Sequence, residues 1–579
     1  MSPAGRRRRF HPLLPLPPLL LLAAAPLAAA YPPAVSGTGG AVAAEDPLAT
    51  AAGLEALRAG GNAVDAAVAT ALALAVVFPE AGNLGGGGFA VVKMGEELAA
   101  LDFRETAPAA AHRTMFLDDR GEPIPFASRY GGLAAGVPGS PAGYYELHRR
   151  FGRLPWQRVV APALRLAGEE LVVGEHLHRV LGDHREGLSR FPETAALWLR
   201  DGEPLPVGAR VRLSDLAATL ALYAERGPAG ITEGRVAAAV EAVARAHGGV
   251  LRAADLAAYR PAWREPLRFR AWGWEVAAMP LPSAGGTIVG QTLGVLERLR
   301  WGELPRFGAD RWHLLAETFR RAFADRTLLA DPATTRATPA ELLAPRRLED
   351  FVARLDRARA TPSAAVEPWA GAAGPAGAAE GADTTHLSVV DRDGNLVALT
   401  TTLNDLFGNG LYVPGAGFFL NDEMDDFATN PDRAGAAGQG EANAVAPGKR
   451  MLSSMSPTLA WRAGEALVVG GRGGRRIPTG TAQALLNLLV DGDELAAALA
   501  RPRVHHQWLP DRLEAEADAL APETRAELER RGHSIVLPQL KDTPKLTAVR
   551  LLPDGRVAAA TDPRGAAPRT GAGVLTPTP

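Results

Sequence analysis

The stretch of sequence that decides the fold is Asp383-Thr-Thr-His-Leu-Ser-Val-Val-Asp-Arg-Asp-Gly-Asn-Leu-Val-Ala-Leu-Thr-Thr-Thr402. It contains two β-prone runs, 386–390 and 396–400, and the tight-turn signal Asp391-Arg-Asp-Gly394 separates them. The pattern predicts an antiparallel hairpin in which both strands carry hydroxyl side chains at their outer ends.

The register of this hairpin depends on which residues form its loop. A two-residue loop made of the middle pair of the turn signal places Thr384 opposite residue 401, and a loop made of the last pair places it opposite residue 403. Either register leaves Thr402 within one position of Thr384. Directly opposed side chains lie roughly 4.5–5.5 Å apart at Cβ, so we expect the two hydroxyls to interact.

The residues before the hairpin differ from it in composition. Ala, Gly and Pro dominate from 358 to 382, and few apolar anchors occur there, which predicts a mobile linker. Further upstream, from about 107 to 355, amphipathic helical patterns alternate with Pro- and Gly-marked turns. That alternation indicates one large α/β body.

Two helices are predicted near the start of this body. Asp46-Pro47 supplies an N-cap and a first-turn proline, and Gly60-Gly61 ends the helix. Asn62 then begins a second helix, over about 63–77, with Asp65 three residues further on. Because this second helix is apolar on almost every side, it should be buried between layers, which favours a multilayered fold.

A glycine-rich segment, Gly82-Asn-Leu-Gly-Gly-Gly-Gly-Phe-Ala90, contains the pattern G-x-G-x-x-A. A dinucleotide site would need a strand before the glycines and a helix after them, whereas here a helix precedes them and a strand follows. No Lys-Ser or Lys-Thr follows, so the segment is not a P-loop either. Close backbone packing, or approach to a small ligand, is the better interpretation.

Composition excludes several classes of function. The 579 residues carry a formal net charge of −2, which gives no strongly basic surface for nucleic acid. Without cysteine there are no disulfides, thiolate nucleophiles or iron–sulfur clusters. No His-Glu-x-x-His occurs, and the neighbours His505-His506 fit surface or packing histidines better than metal ligands. We expect neither a metal nor another cofactor.

The N-terminus has the features of a secretory signal. Four arginines at 6–9 precede an apolar core at 19–25 and the small residues 28–30, so residues 1–30 are predicted to be removed, leaving a mature start near Tyr31. An uncleaved anchor is the alternative, but prolines interrupt the stretch. The general secretory and twin-arginine routes both stay open. The predicted location is the periplasm or the exterior, with no stable membrane span.

Taken in order along the chain, a set of motifs resembles the γ-glutamyltransferase (γ-glutamyl transpeptidase) family. The motifs are Gly61-Asn-Ala-Val-Asp-Ala-Ala67, Asn83-Leu-Gly-Gly-Gly-Gly-Phe89, Asp102-Phe-Arg-Glu-Thr-Ala-Pro108, Gly136-Val-Pro-Gly139, Asp383-Thr-Thr-His386, Asn421-Asp-Glu-Met-Asp-Asp-Phe427 and Leu452-Ser-Ser-Met-Ser-Pro457. The resemblance covers essentially the whole mature chain.

This resemblance implies an α/β (α+β) fold of the N-terminal nucleophile hydrolase type, a four-layer αββα sandwich. It also implies a precursor that cuts itself before Thr384, giving a large subunit, 31–383, and a small subunit, 384–579, that form a heterodimer. The cut makes chemical sense, because a threonine hydroxyl needs an adjacent base and the freed α-amine has a reference pKa of about 7.7–8.0.

The family's catalytic roles transfer to three further positions, and a substrate-binding role transfers to Asn404. By resemblance, Thr402 hydrogen-bonds and orients the Thr384 hydroxyl, while Asn404 lines the pocket. Gly473 and Gly474 resemble the oxyanion hole, in which backbone N–H groups stabilise the tetrahedral intermediate.

Substrate recognition transfers in the same way. Arg104 resembles the residue that grips the substrate α-carboxylate, a task suited to its bidentate fork. Glu423 and Asp426 match positions that hold the α-ammonium, and Ser453 and Ser454 assist with the carboxylate.

The chain departs from the family pattern in two places. Gly471-Arg472 stands where Ser-Pro is common before the two glycines, which puts the rigidity of that loop in question. The segment 430–440, where a lid loop is expected, is small and polar and lacks the aromatic residue that often closes the pocket. We therefore expect a more open site.

The function implied is a γ-glutamyl hydrolase/transpeptidase that takes glutathione-like γ-glutamyl donors and passes the acyl group to water or to an amino-acid or peptide acceptor. One alternative is an acylase acting on glutaryl-cephalosporin side chains, and another is a non-catalytic secreted binding protein. Arg104 and the two acids favour an α-amino-acid head group, since a substrate without an ammonium leaves the acids unpaired.

Overall fold

The structure is a computed structural model that describes residues 31–369, 383–431, 440–539, 543–566 and 571–576. The strands within these residues are short to medium in length. They are β1 Val35–Gly37, β2 Gly40–Ala43, β3 Gly87–Met94, β4 Glu97–Phe103, β5 Glu170–Val172, β6 Leu199–Arg200, β7 Glu203–Pro204, β8 Arg210–Arg212, β9 Ala262–Arg264, β10 Leu267–Ala271, β11 Trp274–Ala278, β12 Asp383–Asp391, β13 Leu396–Asn404, β14 Thr458–Arg462, β15 Glu465–Arg472, β16 Val504–His505, β17 Leu513–Ala515, β18 Ile535–Val536, β19 Lys545–Leu551, β20 Val557–Thr561 and β21 Ala572–Val574.

The helices fall before β12 and in the stretch between β15 and β18. They are α1 Pro47–Arg58, α2 Ala63–Val77, α3 Ser140–Phe151, α4 Trp156–Gly168, α5 Glu175–Asp183, α6 Arg185–Leu188, α7 Pro192–Trp198, α8 Ser214–Arg226, α9 Ala229–Thr232, α10 Gly234–Ala246, α11 Ala253–Ala258, α12 Gly285–Arg298, α13 Ala309–Arg326, α14 Pro339–Leu342, α15 Pro345–Arg354, α16 Ile477–Leu485, α17 Leu495–Ala500 and α18 Pro522–Arg530.

Two antiparallel seven-stranded sheets dominate the described part of the chain. One has the strand order β21-β2-β12-β13-β3-β4-β9, and the other has the order β1-β20-β19-β15-β14-β11-β10. Strands β12 and β13, the predicted hairpin, lie near the middle of the first sheet. Strand β13 pairs with β12 on one side and, over residues 396–402, with β3 on the other, whereas β12 pairs with β2 only over residues 388–391. The pairing on both sides of β13 holds the site residues at the outer ends of the two strands in a fixed register.

Three apolar clusters separate four layers. The first sheet packs its outer face on helices that include α1, α2 and α4, and the second packs its outer face on helices that include α12, α13 and α16. Between the sheets lies a core of small and medium side chains, among them Phe89, Val91, Leu459 and Val468. The layers therefore stack as αββα, as predicted.

The two predicted N-terminal helices are present with their caps. Asp46 accepts hydrogen bonds from two backbone N–H groups at the start of α1. Asn62 and Asp65 form a reciprocal capping box at the start of α2. All of α2 from Ala63 to Val76 is buried, which confirms the prediction of a helix enclosed between layers.

The hairpin forms, but neither predicted register is correct. Its loop has three residues, 392–394, because Asp391 pairs with Asn395 and Gly394 adopts a left-handed φ of 79°. This arrangement matches a type I turn followed by a bulge residue. The register in the body of the hairpin pairs residue 385 with 401, intermediate between the two predictions, and it brings Thr384 towards Thr402 itself.

The glycine segment proves to be a close-packing device. A Cβ on Gly85 would lie 1.9 Å from the Phe419 carbonyl oxygen, and one on Gly86 would lie 2.0 Å from the Thr402 carbonyl oxygen. Such distances leave no room for a side chain. The segment thus brings the backbone that precedes β3 directly against β13, and it supports the interpretation as packing rather than nucleotide binding.

Part of the predicted linker is packed against the body. The Thr361 amide donates to Glu317 at 3.1 Å, Ser363 is fully buried, and the Trp369 amide donates to Asp325 at 2.8 Å. The low order that composition predicts for 358–382 therefore does not apply to 358–369, because these polar anchors compensate for the scarcity of apolar ones. The rest of the linker, the leader 1–30 and most of the expected lid, 432–439, lie outside the described residues. No helix within the described ranges is both long and apolar enough to cross a bilayer.

Candidate active site

All of the predicted site residues except Gly473 line one pocket at the outer ends of β12 and β13. The lining residues come from loops and strands on both sides of the predicted cleavage point. They are Arg104, Thr384, Thr402, Asn404, Glu423, Asp426, Ser453, Ser454, Met455, Gly474 and Ile477. Gly473 directly precedes Gly474 in the chain. The fold therefore brings together residues that lie as far apart in sequence as Arg104 and Ile477.

Hydroxyl groups connect the threonine pair to the peptide bond before it. Thr384 Oγ1 donates to Thr402 Oγ1 at 3.5 Å, and Thr402 Oγ1 donates to the carbonyl oxygen of Asp383 at 2.9 Å. The backbone N–H of Asn404 also donates to Thr402 Oγ1, at 2.8 Å. The Thr402 hydroxyl is thus held in one orientation, in which its hydrogen points to the carbonyl oxygen of Asp383.

A β-bulge produces this geometry. Thr384 opposes two residues, Thr402 and Leu403, because the register shifts by one between 383 and 385. Asn404 ends the bulge with a φ of 81°, a left-handed conformation that asparagine adopts more readily than most residues. Bulges redirect side chains locally, and this one turns the Thr402 hydroxyl towards Asp383.

The glycine-rich segment that begins at Gly82 also holds strand β13 in place. Asn83 Nδ2 donates to Thr401 Oγ1 at 3.1 Å and to the Thr402 carbonyl oxygen at 2.9 Å. Asn83 is itself held by the Gly86 amide, which donates to its Oδ1 at 3.0 Å. The close-packed glycines and Asn83 therefore fix the backbone that carries Thr402.

At the opposite end of the pocket, a buried arginine is surrounded by acids. The Arg104 guanidinium hydrogen-bonds Glu423 through Nη1 and Asp426 through Nη2, and it also donates to the Leu452 carbonyl oxygen at 3.1 Å. The arginine and Glu423 are each 1% exposed and Asp426 is 8% exposed. This arrangement keeps one guanidinium and two carboxyl groups inside the protein, where their electrostatic interactions are weakly screened.

Each of these two acids keeps one oxygen available. Glu423 Oε2 and Asp426 Oδ1 are buried and have no hydrogen-bond partner in the part of the chain that the structure describes. Burial raises the pKa of both carboxyl groups, although Arg104 opposes the shift. A ligand that donates hydrogen bonds or carries a positive charge would satisfy the two oxygens.

The two serines lie on the same side of the pocket as the arginine. Ser453 and Ser454 are buried, and they follow the Leu452 carbonyl that Arg104 contacts. A second buried arginine, Arg326 at the end of α13, donates to Ser454 Oγ at 3.3 Å. Two guanidinium groups therefore contact this segment, one at Ser454 Oγ and one at the Leu452 carbonyl oxygen, and positive charge of this kind favours an anion.

The predicted oxyanion glycines form a turn that needs glycine. Gly473 has a φ of 131° and Gly474 has a φ of 53°, both in the region that side chains disfavour. The preceding Arg472 is not loose, since its guanidinium donates to Glu45 and to Asp383, each at 3.1 Å. These two ion pairs thus fix the loop before Gly473, at the place where the family that this chain resembles commonly has Ser-Pro.

Comparison with known proteins agrees with this geometry. Residues 49–572 match the family described as Gamma-glutamyltranspeptidase. The chain is 41% identical over 550 residues to the glutathione hydrolase proenzyme of Pseudomonas aeruginosa, covering 93% of this chain and 96% of that protein. It is 39% identical over 531 residues to the glutathione hydrolase proenzyme of Escherichia coli, covering 91% and 90%. The solved cephalosporin acylase from Bacillus halodurans matches with a TM-score of 0.81 at 26% identity, over 94% of this chain and 97% of that one.

The chain belongs to the γ-glutamyltranspeptidase family. Membership confirms the predicted fold class, and it confirms the prediction that the chain is a γ-glutamyltransferase or glutathione hydrolase.

The sequence did not point to every residue of this γ-glutamyltranspeptidase pocket. Met455 and Ile477 line it, and Glu105, which adjoins Arg104, lies fully buried behind it. Burial raises the pKa of Glu105 to about 7, against the opposing charge of Arg104. Glu105 falls inside a motif that indicated the family, so its position was visible, whereas its burial beside other acids was not.

The histidine pair lies away from this pocket and is buried. Burial lowers the pKa of His505 to about 3 and that of His506 to about 4, so both imidazoles are neutral at ordinary pH. Within the described ranges, no cluster of three or more potential metal ligands is found. The predicted choice between surface and packing histidines is settled in favour of packing.

Proposed function

We propose that this protein cuts its own Asp383–Thr384 bond and that Thr384 then transfers γ-glutamyl groups from glutathione-like donors to water or to an amine. The observation that carries the proposal is the hydroxyl chain from Thr384 through Thr402 to the Asp383 carbonyl. The two hydroxyls can serve two reactions, first on the protein's own Asp383–Thr384 bond and then on a substrate amide whose carbonyl takes the place of the Asp383 carbonyl.

Self-cleavage begins with attack of Thr384 Oγ1 on the carbonyl carbon of Asp383. The Thr402 hydroxyl already donates to that carbonyl oxygen, so it stabilises the negative charge that develops there. The C–N bond then breaks, the proton from the hydroxyl passes to the leaving nitrogen, and an ester joins the two residues. Water hydrolyses the ester and leaves a free α-amine on Thr384.

The free amine supplies the base for the second reaction. Its reference pKa of about 7.7–8.0 lets a useful fraction accept a proton at neutral pH. It takes the proton of the Thr384 hydroxyl as that hydroxyl attacks the γ-carbonyl of the donor, and it returns the proton to the leaving amine. We assign the backbone N–H groups of Gly473 and Gly474 to the carbonyl oxygen in this step.

The charged end of the pocket fits the head group of a γ-glutamyl donor. The Arg104 guanidinium and the hydroxyls of Ser453 and Ser454 would hold the α-carboxylate, while the unpartnered oxygens of Glu423 and Asp426 would accept from the α-ammonium. The zwitterionic head group thereby supplies a donor for the acids and an acceptor for the arginine. Asn404, whose Nδ2 donates to the Asp422 carbonyl oxygen at 3.1 Å, lines the same pocket.

Two further features belong to the same proposal. Cleavage before Thr384 would give subunits 31–383 and 384–579, which share both sheets and would stay together as a heterodimer. The leader pattern in residues 1–30 supports export to the periplasm or beyond, with removal of the leader.

A second candidate activity is amide hydrolysis of glutaryl side chains, which the likeness to the Bacillus halodurans cephalosporin acylase supports. A glutaryl group carries the terminal carboxylate but no ammonium. It would leave the inward oxygens of Glu423 and Asp426 without a donor, and leaving such buried groups unpaired costs about 1–3 kcal/mol. The geometry therefore favours the γ-glutamyl group.

The test uses purified wild-type protein and Thr384→Ala. Wild type should separate on a denaturing gel into two chains, the smaller beginning Thr-Thr-His-Leu, and should hydrolyse γ-glutamyl p-nitroanilide faster than glutaryl p-nitroanilide. Thr384→Ala should stay a single inactive chain. A wild-type protein that remains one chain would favour the non-catalytic binding protein. A Thr384→Ala protein that still splits at this bond would show that another protease cuts it.

A further inference from the structure

The guanidinium of Arg472 joins two carboxylates, one in strand β12 of the first sheet and one just after strand β2 of that sheet. Its Nε donates to Glu45 Oε1 and its Nη1 donates to Asp383 Oδ1, each at 3.1 Å. The arginine is 4% exposed, as is Glu45. Asp383 is the residue whose carbonyl receives the Thr402 hydroxyl.

Asp383 is therefore held at two points, its side-chain carboxylate and its backbone carbonyl. The side chain is fixed by Arg472, at the end of β15 in the opposite sheet, and the carbonyl is fixed by Thr402 in the neighbouring strand β13. Two such anchors set the rotation of the peptide plane between Asp383 and Thr384. The plane's orientation decides whether Thr384 Oγ1 can approach the carbonyl carbon.

The ion pair also controls charge at this point. An unpaired carboxylate on Asp383 would lie next to the carbonyl oxygen that becomes negative during attack, and like charges at short range repel strongly in a poorly solvated site. Arg472 and the nearby buried Lys545 neutralise that carboxylate, and the hydrogen bond from Arg472 keeps it directed towards the opposite sheet. Glu45 in turn balances the second side of the guanidinium.

We propose that Arg472 is a positioning residue for self-cleavage, acting through the side chain of Asp383 to hold the scissile carbonyl against Thr402. The inference rests on the proposed cut before Thr384. It gives a role to the residue that departs from the family pattern at the loop before Gly473, and it separates that loop's part in maturation from its part in substrate hydrolysis.

The experiment follows conversion of newly made full-length chain to two subunits by pulse-labelling in cell-free synthesis. The variants are Arg472→Gln, Asp383→Ala and the double variant. Each single change should slow conversion by about tenfold to a hundredfold, the range expected for misplacing a reacting group by a fraction of an ångström to an ångström. The double variant should be no slower than Arg472→Gln alone, because the arginine acts through the aspartate.

A conservative change gives a readout that loss of stability alone would not give. Asp383→Asn keeps an oxygen that can accept from Arg472 Nη1, so it should restore most of the rate lost in Asp383→Ala. Once converted, the Asp383→Ala enzyme should match wild type in kcat/KM for γ-glutamyl p-nitroanilide per mole of small subunit, since residue 383 no longer joins Thr384. Asp383→Ala also keeps the Arg472–Glu45 pair, which guards against simple misfolding.

Arg311→Gln is the matched control. Arg311 is also a buried arginine, paired with Asp491 at 2.8 Å in the helical layer around α13. It should lower the melting temperature and leave conversion unchanged. If Arg311→Gln slows conversion as much as Arg472→Gln, or if Arg472→Gln converts at the wild-type rate, the inference is wrong. If wild type itself does not split before Thr384, the proposed function fails instead.

Discussion

The two ends of the pocket are built in opposite ways. The end that carries Thr384 and Thr402 uses neutral hydroxyls on paired strands, and its geometry comes from backbone register and one bulge. The end that carries Arg104, Glu423 and Asp426 uses buried charges, two of them on the loop between β13 and β14. The difference teaches that the geometry of the hydroxyl end depends on where the backbone runs, whereas the geometry of the charged end depends on how buried charges balance.

Removing the Thr402 hydroxyl, at the hydroxyl end of the pocket, should produce the largest loss of rate. Thr402→Val keeps the shape of the side chain and removes the donor to the Asp383 carbonyl, so self-cleavage should slow by about a hundredfold, as for loss of one oxyanion donor. Hydrolysis by the fraction that does mature should fall as well. Time courses on denaturing gels and p-nitroaniline release measure the two rates.

Thr400→Val is the control for that change, because Thr400 lies on the same face of β13 and its hydroxyl pairs with His386 at 2.7 Å instead. It should mature at the wild-type rate. Equal slowing in both variants would mean that any lost hydroxyl in this strand disturbs the fold, and the assignment to Thr402 would not stand.

At the charged end, Arg104→Lys should have a smaller and more selective effect. Lysine keeps the charge but cannot make two parallel hydrogen bonds to a carboxylate, so kcat/KM for γ-glutamyl p-nitroanilide should fall by at least about tenfold. Self-cleavage should proceed normally. Arg264→Lys, which alters the pair with Asp102 at 2.7 Å on the neighbouring strands, should change neither rate. An Arg104→Lys enzyme with wild-type kcat/KM would remove the arginine from carboxylate recognition.

The smallest expected effect concerns the pH dependence of stability. Burial raises the pKa of Glu105 to about 7, so the folded state favours the protonated form and loses stability as pH rises from the ordinary carboxyl pKa through about 7. Glu105→Gln should flatten this decline in urea-unfolding free energies measured between pH 5 and 7.5.

Glu514 supplies the contrast for that measurement. Burial alone would raise its pKa, but the hydrogen bond from Arg476 holds the pKa of this carboxyl below its ordinary value. Its contribution is therefore present above the ordinary pKa and is lost as pH falls, which is the opposite sign. If Glu105→Gln and wild type show parallel pH profiles, Glu105 is ionised in the folded protein over the whole range.

The parts of the fold that depend on a single local sequence signal were predictable. The caps at Asp46 and Asn62 predicted their helices, and the apolar surface of α2 predicted its burial. The hairpin register was missed by one residue because the same four turn residues fit two-residue and three-residue loops, and only the pairing of Asp391 with Asn395 distinguishes them.

The residues of the pocket were predictable as a set through family resemblance, but their partners were not. Nothing near Arg472 in sequence indicates that it pairs with Asp383, 89 positions away. Likewise, the raised pKa of Glu105 follows from its burial within the assembled layers, and no local sequence pattern indicates that burial. Long-range pairing and burial are properties of the assembled sheets, so they could be read only from the structure.

The close approach at Gly85 and Gly86 has a consequence for mutational surveys. A side chain at either position would meet a main-chain carbonyl oxygen at about 2 Å, that of Phe419 for Gly85 and that of Thr402 for Gly86. At Gly86 it would displace the strand that bears Thr402, and at Gly85 it would displace the segment that carries Phe419. In a screen scored only by colour from p-nitroaniline, such variants would look the same as loss of the nucleophile, although no reacting group has changed. Scoring the same library for uncut precursor would group these glycines with the residues needed for maturation. It would show that a tight main-chain contact can be intolerant of substitution although it contains no reacting group.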